Sequence, residues 1–468
     1  MFLTTCISYQ RSWKGVIQMA FNRKLAEGIN HMPLGRQHYR IWITAAAGFL
    51  FEGLDLTIAG GILIALIKAF HLNNTYAGVI GSTALAGYVV GVAIAGWLGD
   101  KFGRKFVISY TLLVFTLLTL LSALSWNGII FGILRFLVGI GVGGESAIVT
   151  PYLAEIIPAR VRGRLLGLSD AMFTVGAIIA SVVNLVVIPA GPWGWRLALV
   201  IAGLPAAYVW VIRRNLPESP QWLANHHQLE EAEAVIRQLA PINETSDLDS
   251  PIGHPGSSAS FKTTEHPSNN LYTLLWSTPY ARITAALWIV WFFIELVYYG
   301  FLVWLPELLV KHGFTVVKSL EYAFLMNIAA LLGGIGASFV QDSRLGRKSS
   351  IIFFFFLSGI ASYLFSISHT DTGILAAGAT LSFLLNGLFS MLYTFTPEQY
   401  ASWNRSTGQG FASGVGHIGG VIGPLLIGVV LSAIGMAGIF GLFAVFLLVP
   451  IVAVLFLRET RAQPVERT

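Results

Sequence analysis

Twelve apolar stretches of about 20 residues recur along this chain, each long enough to cross a hydrocarbon core of about 30 Å as a helix. They run over 42–66, 75–97, 105–124, 129–152, 163–188, 195–213, 283–305, 320–340, 348–367, 373–394, 407–431 and 434–457. A helix satisfies its backbone groups internally, which a segment surrounded by lipid must do. Charged residues make up only 11% of the chain, against roughly 25% in a soluble domain. The fold class this implies is an all-α integral membrane protein.

Lys and Arg set the expected orientation. With both termini cytoplasmic, 24 of the 29 fall in inner segments, four fall outside, and Arg135 lies inside a span. That bias follows the positive-inside rule. It also assigns the basic charge to lipid and cytoplasm, so a nucleic-acid partner is not expected. Residues 1–40 read as a cytoplasmic tail with no apolar core of signal-peptide length, and Met19 and Met32 are alternative starts. Cys6 is the only cysteine, which excludes disulfides within the chain and thiolate metal sites. The expected units are an N-terminal bundle (41–213), a central loop (214–281), a C-terminal bundle (282–457) and a tail (458–468). In the loop, Glu218 to Ala240 reads as one amphipathic helix and 241–270 as a Ser/Pro-rich linker.

One offset of 243 residues recurs. It takes Gly103-Arg104-Lys105 to Gly346-Arg347-Lys348, Glu155 to Glu398, and Arg162 to Arg405. A duplicated half holds one offset across separate motifs, so the bundles are two pseudo-symmetric sets of six helices. Glu52 and Glu295 share the offset, whereas Asp55 maps onto Tyr298 and Arg135 onto Gly378.

The loop Gly96-Trp97-Leu98-Gly99-Asp100-Lys101-Phe102-Gly103-Arg104-Lys105 resembles the signature between helices 2 and 3 of the major facilitator superfamily. Arg135 with Gly139, Gly141, Gly143 and Gly144, then Glu155 and Arg162-Gly163-Arg164, resembles helices 4 to 5 of its sugar-porter-like branch. Pro217-Glu218-Ser219-Pro220-Gln221-Trp222 resembles the motif after helix 6, with Gln221 where Arg is usual. Leu34-Gly35-Arg36 before the first span, and Trp304-Leu305-Pro306 closing the seventh, are more similar to metabolite:proton symporters that include niacin permeases. Two positions depart from those permeases: Phe51-Glu52-Gly53-Leu54-Asp55 in the first span, and His417 where arginine is expected. The resemblance implies a twelve-helix major facilitator fold in the inner or plasma membrane. Its implied activity is secondary transport by alternating access, without cofactor, by a monomer.

Ionisable groups at membrane depth are costly and rarely idle. Glu52, Asp55, Glu145, Asp170 and Glu295 are the acids within spans, and Arg135 is their one strongly basic counterpart. At 1.5 Å per residue Asp55 lies about 20 Å from the inner end of its span and Arg135 about 9 Å from the outer end of its own. The extended arginine side chain can close that gap. Both match positions that the resemblance associates with proton coupling. A conformational change that separates carboxylate from guanidinium lets the carboxylate take a proton. The bland alternative is a static buried pair.

Glu52, Glu145, Glu295, Trp291, Tyr298, Tyr299, Asn386 and His417 are candidate substrate contacts. Amphipathic aromatics and amides orient small polar solutes, but each residue alone also fits plain helix packing. Asp100, Arg104, Lys105, Glu155, Arg162, Asp342, Arg347, Glu398 and Arg405 are candidate gate residues, with Glu155, Arg162, Glu398 and Arg405 expected as an inner gate of ion pairs that form when the cytoplasmic side shuts and break when it opens. Gly139-Ile-Gly141-Val-Gly143-Gly144 formally matches a dinucleotide fingerprint, but no strand precedes it, so its glycines read as helix-packing positions. The chain shows no enzyme motif. The leading expectation is proton-coupled symport of a small polar metabolite: nicotinate or another aromatic acid, or a sugar or polyol. Alternatives are a proton-driven exporter, an uncoupled facilitator and a non-transporting receptor.

Overall fold

The computed structural model describes residues 28–30, 32–239, 275–278, 280–341, 343, 345–400 and 405–461. Asp342, Arg344, the tail before residue 28, the linker 241–270 and the side chain of Asp170 lie outside the described residues. The first half is built from α1 (Arg36–Phe70), α2 (Asn74–Phe102), α3 (Arg104–Ser122), α4 (Gly128–Ile156), α5 (Ala159–Val187) and α6 (Gly194–Asn215), which carries a 3-10 turn at Leu204–Ala207. The second is built from α7 (Ala281–Lys311), α8 (Val316–Val340), α9 (Arg347–Ile367), α10 (Asp371–Glu398) and α11 (Arg405–Leu455). All eleven are long and apolar enough to cross a membrane. α11 has 51 residues, about 76 Å at 1.5 Å per residue and more than twice a bilayer core. Its backbone breaks at Gly435 (φ 63°, ψ −174°), at the start of the twelfth apolar stretch.

Helix starts follow local chemistry. Asn73, Asn127, Thr315 and Thr370 each accept a backbone N–H of the first turn of α2, α4, α8 and α10, respectively. α2 and α4 pack where side chains are missing: a Cβ on Gly87 would lie 1.9 Å from the Phe136 carbonyl oxygen, and one on Gly139 would lie 1.9 Å from that of Ala84. The glycine run of α4 is thus a packing surface on a membrane helix, and the dinucleotide fingerprint has no strand or turn behind it.

The single amphipathic helix expected over 218–240 is instead two, Pro220–Asn225 and Leu229–Leu239. His227 takes a left-handed conformation (φ 62°), its N–H bonds Ala224 O, and Gln228 N–H bonds Leu223 O. This reciprocal pair is the Schellman stop, which apolar periodicity does not reveal.

The halves meet through α2 against α11, α5 against α8 and α1 against α7. Hydrogen bonds joining them run from mid-height to the end opposite the signature loops: Asn386 Nδ2 to Thr174 Oγ1 (3.4 Å), Asn327 Nδ2 to Ser181 Oγ (2.9 Å) and Ser82 Oγ to Val421 O (2.7 Å). There Gly78 and Gly428 touch so closely that a Cβ on Gly78 would sit 3.0 Å from the Gly428 Cα. Towards the signature-loop end, Gly163, Gly167, Gly410 and Gly414 have nothing within 4 Å of a Cβ position. The bundle is shut at one end and parted at the other.

Candidate transport site

Asp55 of α1, Thr119 of α3 and Arg135 of α4 converge inside the first half. Arg135 Nη1 and Nη2 donate to Asp55 Oδ1 and Oδ2 at 2.9 and 2.7 Å, and Thr119 Oγ1 donates to Oδ1 at 2.8 Å. The planar guanidinium matches the carboxylate fork, giving two charge-assisted bonds in fixed geometry. Exposure is 0% at Asp55 and 1% at Arg135, so the protein alone satisfies the pair. A small cavity lined by Leu56, Gly81, Ala84, Leu302, Arg135 and Tyr299 leads from this pair towards the seam between the halves.

At that seam α2, α7 and α11 bring Tyr88, Glu295, Tyr299 and His417 together. The His417 ring stacks on Tyr88 across the halves, with centroids 4.3 Å apart and planes 3° apart. His417 Nδ1 lies 2.8 Å from Ser413 O and 3.3 Å from Glu295 Oε1. A carbonyl can only accept, so the network assigns the hydrogen to Nδ1. Glu295 Oε2 and both carboxyl oxygens of Glu145 are buried without a hydrogen-bond partner. Glu52, also buried, is the electrostatic neighbour of both glutamates. Glu145 packs directly on α1, where a Cβ on Gly48 would lie 2.2 Å from its Oε1.

Other candidates fall in different places. Tyr298 packs edge-on against Tyr299 and Phe389, and Asn386 reaches across to Thr174. Trp291 donates its indole N–H to Thr396 Oγ1 at 2.9 Å and is fully buried in the core of the second half. Tyr88, Thr174, Ser413 and Gln409 were not among the candidates. Gln409 has both amide atoms buried without a partner. It shares one face of α11 with Ser413 and His417 at four-residue spacing, a pattern readable in the sequence.

The signature loops form a clasp that is repeated in each half. Glu218 accepts the backbone N–H groups of Arg104 (2.8 Å) and Lys105 (3.1 Å), and Glu459 accepts those of Arg347 and Lys348 (both 3.0 Å). Each carboxylate thereby caps a helix N-terminus and faces its positive dipole end. Gly103 (φ 96°) and Gly346 (φ 84°) occupy left-handed turns, where a Cβ would also lie 2.3 Å from Glu218 Oε2 and 2.5 Å from Glu459 Oε2. Partial burial pushes the Glu459 carboxyl up, but backbone N–H bonds from Arg461, Arg347, Lys348 and Thr460 outweigh it and hold the group below the usual carboxylate range.

At the parted end the glutamates Glu155 and Glu398 face the arginines of the signature loops. Arg104 bonds Asp100 Oδ1 (2.7 Å) and lies 3.7 Å from Glu155 Oε1, while Arg347 pairs with Glu398. Arg162 does not meet Glu155. It bonds Ile157 O (3.1 Å) and Asn30 Oδ1 (2.7 Å), because Pro158 starts a new helix that swings Arg162 away. Glu155 instead accepts the Ser219 hydroxyl. Arg405 Nε and Nη2 are buried without a hydrogen-bond partner.

Two pseudo-symmetric helical halves, closed over a polar mid-plane at one end only, define a multi-pass membrane transporter. A family profile described as "Sugar (and other) transporter" matches residues 41–468, and the chain belongs to that family, a branch of the major facilitator superfamily. The chain is 36% identical over 444 residues to "Niacin transporter NiaP" of Acinetobacter baylyi, covering 94% of this chain and 99% of that one. It is 31% identical over 424 residues to "Putative niacin/nicotinamide transporter NiaP" of Bacillus subtilis, covering 90% and 96%. Among solved structures, the partially occluded inward-open xylose transporter XylE from E. coli superposes with a TM-score of 0.71 at 19% identity, covering 90% of this chain and 98% of that one. That likeness shows the fold. The protein is a transporter and not an enzyme.

Proposed function

We propose that this protein couples the movement of a small heteroaromatic solute to that of a proton, with both termini and the signature loops on the cytoplasmic side. The observation that carries the coupling is the fully buried Asp55–Arg135 pair, braced by Thr119. A buried pair of this kind is weak evidence for stability alone, since a matched apolar pair serves folding equally well. It is well suited to a switch: separating the guanidinium from the carboxylate changes whether Asp55 holds a proton. The names of the relatives, which specify niacin, support a pyridine-type ring as the solute. The open signature-loop end then corresponds to the inward-facing state.

In the opposite state the loop ends close. Pseudo-symmetry then brings Arg405 towards Glu155 and Arg162 towards Glu398, which supplies partners for the unbonded Arg405 nitrogens seen here. Purified protein in vesicles tests the coupling. Asp55→Asn should abolish uptake driven by an inward proton gradient and leave counterflow exchange of the same solute intact. Equal loss of both activities, or gradient-driven accumulation by the variant, refutes the coupling role.

A further inference from the structure

The mid-plane chemistry narrows the solute further, on the premise that the transport reading holds. Three carboxyl groups, Glu52, Glu145 and Glu295, are buried around the seam at exposures of 7%, 4% and 1%. Among the described residues, Arg135 is the one lysine or arginine away from the helix ends, and both its terminal nitrogens are committed to Asp55. His417 is the remaining basic group at the seam. Its Nδ1 hydrogen is shared between Ser413 O and Glu295 Oε1. Nothing among these groups offers the planar fork that a carboxylate ligand requires.

A carboxylate solute would add a fourth acid to this site. A cationic solute would instead supply the countercharge that buried carboxylates need. The unpartnered atoms agree: Glu295 Oε2 and both oxygens of Glu145 have no hydrogen-bond donor among the described residues. On the Glu295 side stand Tyr299, with Tyr298 edge-on to it, and Tyr88, one face of which carries the His417 ring; aromatic faces attract a cation through their quadrupoles. Gly416 and Gly420 of α11 flatten the wall, since a Cβ at either would lie 2.9 Å from Glu295 Oε1 or 2.8 Å from the Tyr299 ring. We infer that the solute is a planar nitrogen heteroaromatic cation, seated against Glu295 and Glu145 and between the tyrosine rings.

The test uses the full chain in vesicles with the membrane potential clamped at zero, at neutral pH. Three rings of one size are compared: nicotinate as the anion, nicotinamide as the neutral form and N-methylnicotinamide as the cation. Uptake of the cation should exceed that of nicotinate by about tenfold or more, with nicotinamide between them, as expected if one cation–π or ion-pair contact is gained. Glu295→Gln and Glu145→Gln should each reduce cation uptake by about tenfold and nicotinamide uptake by less than about threefold, reflecting loss of charge and not of shape. The wild-type series decides the matter even if a variant does not fold. Nicotinate or nicotinamide entering faster than the cation overturns the inference, as does an equal effect of the Gln variants on all three rings. If none of the rings enters faster than into protein-free vesicles, the heteroaromatic transport reading falls and this inference with it.

Discussion

Charge removal at the Asp55–Arg135 pair separates a structural role from a coupling role. Asp55→Asn alone leaves a guanidinium that is 1% exposed without a countercharge, and Arg135→Met alone leaves a carboxylate that is 0% exposed in the same position. No water reaches either group to compensate. Breaking one side of such a pair costs about 3–5 kcal/mol. In Asp55→Asn/Arg135→Met the uncompensated charge disappears, Thr119 Oγ1 can still donate to the amide oxygen, and the methionine stem fills much of the arginine volume. The double variant should therefore be less destabilised than either single variant and close to the unmodified protein, since replacing a whole buried pair by groups of similar volume is often neutral. Thermal unfolding in detergent, followed by size-exclusion chromatography, measures the cycle. Vesicle assays on the same preparations measure function. The double variant should exchange solute by counterflow yet fail to accumulate it on a proton gradient. Additive destabilisation would refute the charge-pair argument, and gradient-driven accumulation by the stable double variant would refute the coupling argument.

Two further outcomes concern the loop clasps. Gly103→Ala and Gly346→Ala should each destabilise by about 1–3 kcal/mol from the backbone alone, because positive φ combined with ψ of 155° and 163° is essentially restricted to glycine. They should also expose the Arg104 and Arg347 amides to hydrogen exchange, whereas unchanged protection would rule out the clasp geometry. Because the folded Glu459 carboxyl is held below its ordinary value, its contribution is complete above about pH 4.3 and lost as pH falls through the depressed folded value. Protection of the Arg347 and Lys348 amides should therefore fall in that acidic window and lose this pH dependence in Glu459→Gln; the same pH dependence in the variant would exclude Glu459 as its source.

What the sequence shows plainly is what the membrane enforces. Each span must satisfy its own backbone, so runs of about 20 apolar residues locate α1 to α11, and the break in α11 at Gly435 falls just past the short gap between its two runs. Asp55 and Arg135 are legible for the same reason: a charge at that depth requires a partner, and few candidates exist. The partners that Glu155 and Glu398 take at the parted end are less legible. Glu155 and Arg162 are seven residues apart, but Pro158 intervenes, so helical spacing does not apply and the partner comes from α3 in place of α5. Tyr88 was equally hidden, because an aromatic beside Gly87 and Gly91 reads as packing until α11 is seen across from it. The partner of Trp291 was hidden in the same way, since its buried indole N–H finds Thr396 Oγ1 within its own half.

Comparing the halves separates moving parts from chemistry. The glycine turn, the capping glutamate and the Arg–Glu pair occur in both, as Gly103, Glu218 and Arg104–Glu155, and as Gly346, Glu459 and Arg347–Glu398. The proton site does not repeat. Offset by 243, Asp55, Thr119 and Arg135 become Tyr298, Ser362 and Gly378. Ser362 donates instead to the Phe440 carbonyl, and a Cβ at Gly378 would already lie 2.1 Å from the Met326 methyl, so an arginine there would have to displace the apolar core. Overpacking alone costs about 1–3 kcal/mol and a buried unpaired charge costs more, so a second pair cannot be installed by one substitution. The repeated clasps give both halves the same hinge mechanics, and on the coupling reading the single Asp55–Arg135 pair limits each cycle to one proton at this position.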